Sequence, residues 1–235
     1  MSSLPAQPNR SVMEGLEVLF AVVQERGAVR VRALARELGM TPTRVQRYLG
    51  TLAHLGLAHR LPDRSYRVGP GIHALSALSL SASGLTAGAM QVLPRLADLE
   101  VIVAMGVLWR NTVSYLYFSV PGMPMAEAIG RSAGYPAEDS SIGLLMLAHA
   151  DSATVGRYFP EDLARLRSRL DEVRRQGYAV IDRPNGERSL AVPVGSPVVA
   201  GIAVSGKPAK PWPEVLERLR AAAIGIEKAM TKTAV

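Results

Sequence analysis

The chain has 235 residues, 48% of them hydrophobic and 20% charged, with no cysteine and a formal net charge of +7. That length gives one large domain or two smaller ones, and the apolar content excludes disorder as a class. The lack of cysteine excludes disulfide frameworks, thiol nucleophiles and cysteine-bound zinc, and it fits a cytoplasmic protein in a reducing compartment.

The charge is unevenly placed. Residues 1–69 hold ten Arg against five Asp/Glu, giving +5, while residues 70–235 hold seventeen Lys/Arg against fifteen acidic residues, giving +2. A basic segment joined to a near-neutral one predicts that the first part meets a polyanion. The longest run without Asp, Glu, Lys or Arg, Val68 to Pro94, is broken by glycines, serines and His73. It falls short of the ~20 apolar residues of a membrane span, so no membrane association is expected.

In chain order, residues 1–10 are polar with two prolines and are expected to form a disordered tail. Ser11 to Arg26 has helical spacing at Val12, Leu16, Leu19, Phe20 and Val23, with Ser11 as the expected N-cap and Gly27 as the stop. Val31 to Leu38 is a second short helix closed by Gly39, a residue that takes the left-handed conformation cheaply. Thr41 and Pro42 then form a strong start signal for a third helix. Leu57 to Leu61 and Ser65 to Val68 read as two short strands around Pro62-Asp63-Arg64. Three helices and a hairpin over residues 11–70 make a winged helix-turn-helix. Ile72 to Ser83 and Thr86 to Leu99 are expected helices around Gly84, with residues 71–85 as a helical linker.

From residue 86 the pattern is that of an α+β domain running to residue 235. Expected strands are Val101 to Met105, Val113 to Val120, Tyr178 to Ile181, Ser189 to Val194 and Val198 to Ser205. Expected helices are Ile142 to His149, Glu161 to Gln176 and Pro213 to Met230.

The third helix carries the most specific chemistry. At 100° per residue Val45, Tyr48, Leu49, Leu52 and Leu55 share one side, and Thr43, Arg44, Arg47, Thr51 and His54 share the other. Arg44 and Arg47 have the fork that pairs with guanine O6 and N7, and Gln46, nearer the flank, matches adenine. Thr41 and Thr43 at the helix start suit a backbone phosphate. Arg30 and Arg32, at the start of the second helix, are candidates for backbone contact; on the hairpin, which carries Arg60, Arg64 and Arg67, Arg60 is a further DNA-contact candidate and Arg64 at the tip is one for the minor groove or a phosphate. The expected partner is double-stranded DNA.

These motifs resemble the IclR family of bacterial transcription regulators. The resemblance is carried by L-A-R-E-L-G at Leu34–Gly39, R-V-Q-R-Y-L-G-T-L at Arg44–Leu52, L-G-L at Leu55–Leu57 and Y-R-V-G-P at Tyr66–Pro70. Looser matches follow in order: I-G-L-L-M-L-A at Ile142–Ala148, R-R-Q-G-Y-A-V-I-D at Arg174–Asp182, S-L-A-V-P-V at Ser189–Val194 and G-I-A-V-S-G at Gly201–Gly206. The resemblance implies a winged helix, a helical linker and a GAF-like domain that binds a small-molecule effector. It also implies a homodimer or homotetramer on a palindromic operator. Carried over by motif, the effector-binding candidates are Ser141, Ile142, Asp182, Ser189, Ala203 and Ser205. Two departures stand out. Gly143-Leu144 replaces a frequent Gly-Lys pair, and P-A-E-D-S-S at Pro136–Ser141 replaces P-x-H-A-T-A, which brings Glu138 and Asp139 towards the expected pocket mouth. Met123, Met125 and Tyr135 are further candidates for an apolar lining.

Enzyme readings find little support. The four histidines include no pair with metal-ligand spacing, and neither a P-loop nor G-x-S-x-G occurs. Asp139-Ser140-Ser141 with His149 is the one set that resembles a hydrolytic constellation, and it lacks an evident orienting group. No catalytic residue, metal or cofactor is expected. The alternative to a regulator is a sensory or enzymatic α+β domain whose basic N-terminal part contacts proteins.

Overall fold

A computed structural model describes residues 9–25, 27–129 and 134–233. The chain divides into two compact units, Met1–Leu80 and Ser81–Val235.

In the first unit α1 (Arg10–Gln24) begins one residue before the expected cap. Asn9, not Ser11, is the N-cap, and its side chain accepts from Val12 N at 3.2 Å. Arg10 therefore opens a helix; the rest of the tail expectation, residues 1–8, lies outside the described residues. The expected apolar stripe of α1 is only partly buried: Leu19 packs against the core and Phe20 is half-buried. Val12, Leu16 and Val23 are exposed, whereas Glu14, Val18, Ala21 and Val22 face the core. The helix carries two stripes, and the one with the carboxylate goes inside because Arg10 and Arg44 neutralise it.

The turn between α2 (Val31–Glu37) and α3 (Pro42–His54) closes at Gly39, whose φ of 62° is left-handed, with Met40 N donating to Ala35 O at 2.9 Å. Leu34, Val45, Leu49 and Tyr66 are fully buried with Val18 and Val22, which fixes α2 and α3 against α1. Leu55, expected on the buried side, caps the helix and is exposed. The hairpin pairs β1 (Ala58–Arg60) with β2 (Tyr66–Val68), antiparallel, and Val29 bridges to Tyr66 as a third edge. These are the parts of a winged helix-turn-helix.

Helix α4 (Pro70–Ser83) spans the boundary between the units and buries none of its residues. Gly84 breaks it, and α5 (Leu85–Val92) follows. The expected long helix to Leu99 changes to a 3-10 helix over Leu93–Leu99, because Pro94 lacks the amide an α-helix would use.

The second unit is built on one antiparallel sheet with strand order β5-β4-β3-β8-β7-β6. Its strands are β3 (Ile102–Trp109), β4 (Thr112–Ser119), β5 (Tyr135–Pro136), β6 (Ala179–Asp182), β7 (Arg188–Val194) and β8 (Ala200–Gly206). Side chains alternate between the two faces. Val103, Met105, Val192, Ile202 and Val204 pack on α5, the 3-10 helix and α9 (Trp212–Thr233). Ala104, Val113, Ala191 and Ala203 pack on α6 (Ser141–His149), α7 (Ser152–Tyr158) and α8 (Leu163–Gln176). The second face is floored by alanines, so α6 approaches the sheet closely. The two-residue β5 and the whole of α7 are absent from the sequence expectations. No helix among the described residues is long and apolar enough to cross a membrane.

Candidate functional site

The first candidate is the exposed face of α3. Thr41 Oγ1 accepts from Arg44 N at 3.4 Å and Pro42 opens the helix, as the start signal predicts. Val45, Tyr48, Leu49 and Leu52 are buried, which turns Thr43, Gln46, Arg47 and Thr51 to solvent. Arg47 is the cation that the packing leaves outermost on this helix; its guanidinium lies 5.8 Å from the Tyr48 ring centroid. Arg32, Arg60 and Arg64 are likewise exposed, and Arg64 adopts φ 64° at the tip of the hairpin. The turn beneath it is organised by Asp63, whose carboxylate accepts from Ser65 N and Oγ and so titrates below the usual aspartate range. Arg30 lies 3.8 Å from Asp63.

Two expected base readers have partners within the protein. Gln46 Nε2 donates to Tyr66 OH at 2.8 Å, tying α3 to the wing. Arg44 is not free on the outer face: it is half-buried, and its Nε lies 2.8 Å from Glu14 Oε2. Helical spacing alone puts Arg44 beside Arg47, but the wheel cannot show that α1 delivers a carboxylate to its root. Thr51 Oγ1 donates to Arg47 O at 3.1 Å.

The second candidate is a cavity of about 300 Å³ between the alanine-floored sheet face and the start of α6. Ser140 caps α6, accepting from Gly143 N at 3.3 Å. Ser141 Oγ and Ser189 Oγ form a buried 2.7 Å hydrogen bond across the cavity wall. Register explains the lining. Ile102 pairs with Ser205 and Ser205 with Ser189, so three strands place these side chains in one row; Ala104 and Ala203 form the next. Tyr115, Phe118 and Tyr135 make an aromatic wall, with Tyr115 and Phe118 edge to face at 5.8 Å between centroids. Tyr115 OH lies 3.4 Å from Ser140 Oγ, and burial pushes its pKa up, so it stays a neutral phenol. Exposed Asp139 and Arg183 also line the cavity and offset each other in charge.

Five of the six expected pocket residues meet here: Ser141, Ile142, Ser189, Ala203 and Ser205. Asp182 does not line the cavity. It is paired across the strand edge with Arg188, Nε to Oδ1 at 2.6 Å and Nη2 to Oδ2 at 3.2 Å. The pleat is the reason: Ile181 packs with the cavity-side cluster, so the next residue points to the other face. Of the apolar candidates Tyr135 lines this cavity, whereas Met123 and Met125 sit with Leu93, Val103 and Tyr117 on the opposite sheet face. Glu138 is not in the lining, although Asp139 is. Tyr115, Phe118, Ser140 and Arg183 were not foreseen as lining residues; alternation from Val113 reaches Tyr115 and the capping role marks Ser140, whereas Phe118 joins this face through a register shift between β3 and β4 and nothing in the sequence marks Arg183.

The hydrolytic constellation is not assembled. Ser141 begins α6 and His149 ends it, about 12 Å apart at 1.5 Å per residue. Burial, with Arg174 adding to it, lowers the His149 pKa. Among the described residues no group of three His, Asp or Glu is placed to hold a metal ion.

A winged helix-turn-helix joined to a two-faced α+β domain is the build of a DNA-binding transcriptional regulator. Residues 11–62 match the family model of the IclR helix-turn-helix domain. Solved structures agree over the full length. A candidate IclR transcriptional regulator from Silicibacter sp. TM1040 is 22% identical, with 94% of this chain and 96% of that one covered at a TM-score of 0.77. The IclR family regulator of Brucella abortus is 21% identical, covering 100% and 97%, at 0.70. An IclR homolog from Microbacterium hydrocarbonoxydans, complexed with 4-hydroxybenzoate, is 22% identical, covering 94% and 99%, at 0.67. No curated protein matches the sequence. Residues 11–62 are thus an IclR helix-turn-helix domain, and over its full length the chain shares the fold of the IclR-family structures.

Proposed function

We propose that the protein reads operator DNA with α3 in the major groove and responds to a small metabolite held in the cavity beneath α6, without catalysing a reaction. The observation that carries the first half is the capped α3, buried on one side and lined by Thr43, Arg47 and Thr51 on the other, beside a wing tipped by Arg64. Arg47 is the leading base reader and Arg44 the second. Thr43 and the amides of the first turn, with Arg30, Arg32 and Arg60, supply phosphate contacts. The division of labour proposed is a winged helix over 11–70, a helical linker over 71–85 and a sensing and oligomerisation domain over 86–235. A homodimer or homotetramer on a palindromic site accords with the apolar side chains that α1 and α4 leave exposed, Val12, Leu16, Leu75 and Leu78.

The cavity sits at the small end of ligand sites. Its aromatic wall, its serine row and the first-turn amides of α6 suit a planar body bearing one carboxylate or hydroxyl. A related fold holds 4-hydroxybenzoate, so aromatic hydroxy acids are the first class to try.

The test of DNA reading is a mobility-shift titration on the DNA flanking the protein's own gene. Arg47→Ala should lower selectivity as well as affinity, and equal losses on all sequences would reduce Arg47 to a phosphate contact. For the cavity, 4-hydroxybenzoate and related acids should raise the melting temperature, and Ser189→Ala should diminish the rise. A shift unaffected by Ser189→Ala would move the ligand elsewhere.

A further inference from the structure

Glu14 was not a candidate in the sequence, yet three side chains of the first unit meet its carboxylate. It lies on α1, 8% exposed. Its Oε1 accepts from Arg10 Nε at 2.7 Å; its Oε2 accepts from Tyr48 OH at 2.7 Å and lies 2.8 Å from Arg44 Nε. A carboxylate withdrawn from water is tolerated only with such partners. Two of them, Arg44 and Tyr48, are one turn apart on α3.

We infer that Glu14 is a positioning residue for DNA reading: its carboxylate, pinned by Tyr48, fixes the Arg44 guanidinium at the root of α3. The inference deepens the proposed function and rests on α3 being the reading helix. The geometry gives it direction. Arg44 Nε lies 2.8 Å from Glu14 Oε2 as an ion pair, its terminal nitrogens remain as a fork, and the side chain is 35% exposed. An arginine without a partner at this position would sample many rotamers; one whose root is held by the charge of the carboxylate samples fewer, which favours bidentate reading of guanine. Tyr48 serves both arginines, since its hydroxyl holds Glu14 while its ring lies near the guanidinium of Arg47. A carboxylate kept inside also neutralises no more of the outer face than it must. Arg10 and Arg44 together leave a net positive charge around it for the phosphates.

The test uses the full-length protein and a duplex enriched by it from a randomised pool, with a scrambled duplex as the reference. Glu14→Gln keeps the shape of the side chain and removes its charge. It should lower the ratio of affinities for the selected and scrambled duplexes by roughly tenfold, the order expected for one bidentate contact. Affinity for the scrambled duplex should hold or rise, because an anion has gone. A residue that merely supports folding would lower both affinities together, and that result overturns the inference. The same substitution in an Arg44→Ala background should cost no further selectivity; an additive loss there overturns positioning while leaving Arg44 as a reader. If Arg44→Ala itself leaves selectivity intact, the inference falls while Arg47 remains the reader of α3; if no duplex is enriched, the reading of α3 falls and the inference with it. Tyr48→Phe provides a second variant should Glu14→Gln fail to fold: it releases Oε2 alone and should reduce selectivity in the same direction, and unchanged selectivity in that variant counts against the inference.

Discussion

The start of α6 gives the sharpest stability prediction. A Cβ added at Gly143 would lie 2.1 Å from Ala137 O and 2.5 Å from Ala137 Cα. Carbon contacts settle near ~3.5 Å, so Gly143→Ala must open this gap by about 1 Å. Neither neighbour is a side chain that can rotate away, so the cost falls at the upper end of the ~1–3 kcal/mol typical of overpacking. The displaced helix start also weakens the Ser140 cap, worth ~1 kcal/mol. The sum, ~3–4 kcal/mol, lowers melting by roughly 6–16 °C at ~2–4 °C per kcal/mol for a unit of this size. Trp109 and Trp212 both belong to the second unit, so tryptophan fluorescence during a thermal ramp reads this transition. Ligand-induced stabilisation should fall too, because Ser140, Ser141 and Ile142 move together. Melting within about one degree of the parent would refute the close approach of α6 to residue 137 and the cavity geometry built on it.

Other substitutions separate packing from function. Gly50 has nothing within 4 Å of an added Cβ, so Gly50→Ala should stabilise the first unit by ~0.5–1 kcal/mol, read as a raised urea midpoint. Ser189→Ala strands the buried Ser141 hydroxyl at a cost of ~1–3 kcal/mol, and adding Ser141→Ala should cost much less than a second such loss; strict additivity would deny the 2.7 Å bond. Asp182→Ala removes an exposed pair worth at most ~1 kcal/mol and should leave 4-hydroxybenzoate shifts unchanged, while Arg183→Ala weakens them. A lost shift in Asp182→Ala would return that residue to the cavity.

Much of the first unit was legible because its signals are local. Thr41-Pro42 announces α3, Gly39 ends the preceding helix, and Pro62-Asp63 turns the wing, each through backbone preferences that neighbours do not override. The face of α1 was misread for the opposite reason. Val12, Leu16 and Val23 form the more apolar stripe, but the core receives Glu14 because two arginines distant in sequence or on the neighbouring turn complete it. No periodicity contains that information. In the second unit the motifs led to Ser141, Ser189, Ala203 and Ser205, yet the pairing that lines them up is a register between strands. Asp182 went astray by one residue, which in a strand is a whole face. Helix α7 has a readable cap, Asp151 accepting from Thr154 N at 2.8 Å, but its seven residues bury only Val155 and so carry no apolar period.

The Glu14 cluster also makes a pH prediction whose sign follows from the geometry. Hydrogen bonds from Tyr48, then Arg10, hold the Glu14 pKa below its ordinary value. A depressed carboxylate stabilises the fold fully above the ordinary glutamate value of about 4.3 and loses that contribution as pH falls through the lower folded value. Asp63, Asp98 and Asp151 are depressed as well, so the whole protein weakens in acid. Comparison with Glu14→Gln isolates one group, because the other three titrate alike in both proteins. The groups facing Glu14 are Arg10, Arg44 and Tyr48. Urea midpoints followed by far-ultraviolet circular dichroism should therefore differ most at neutral pH and converge in acid. Tryptophan emission would miss the effect, since both tryptophans lie outside the first unit. A gap that stays constant down to pH 3 would mean that the amide costs stability through its hydrogen-bond pattern and not through the lost charge. The anchoring of Arg44 would then have to be sought in Tyr48 rather than in the carboxylate.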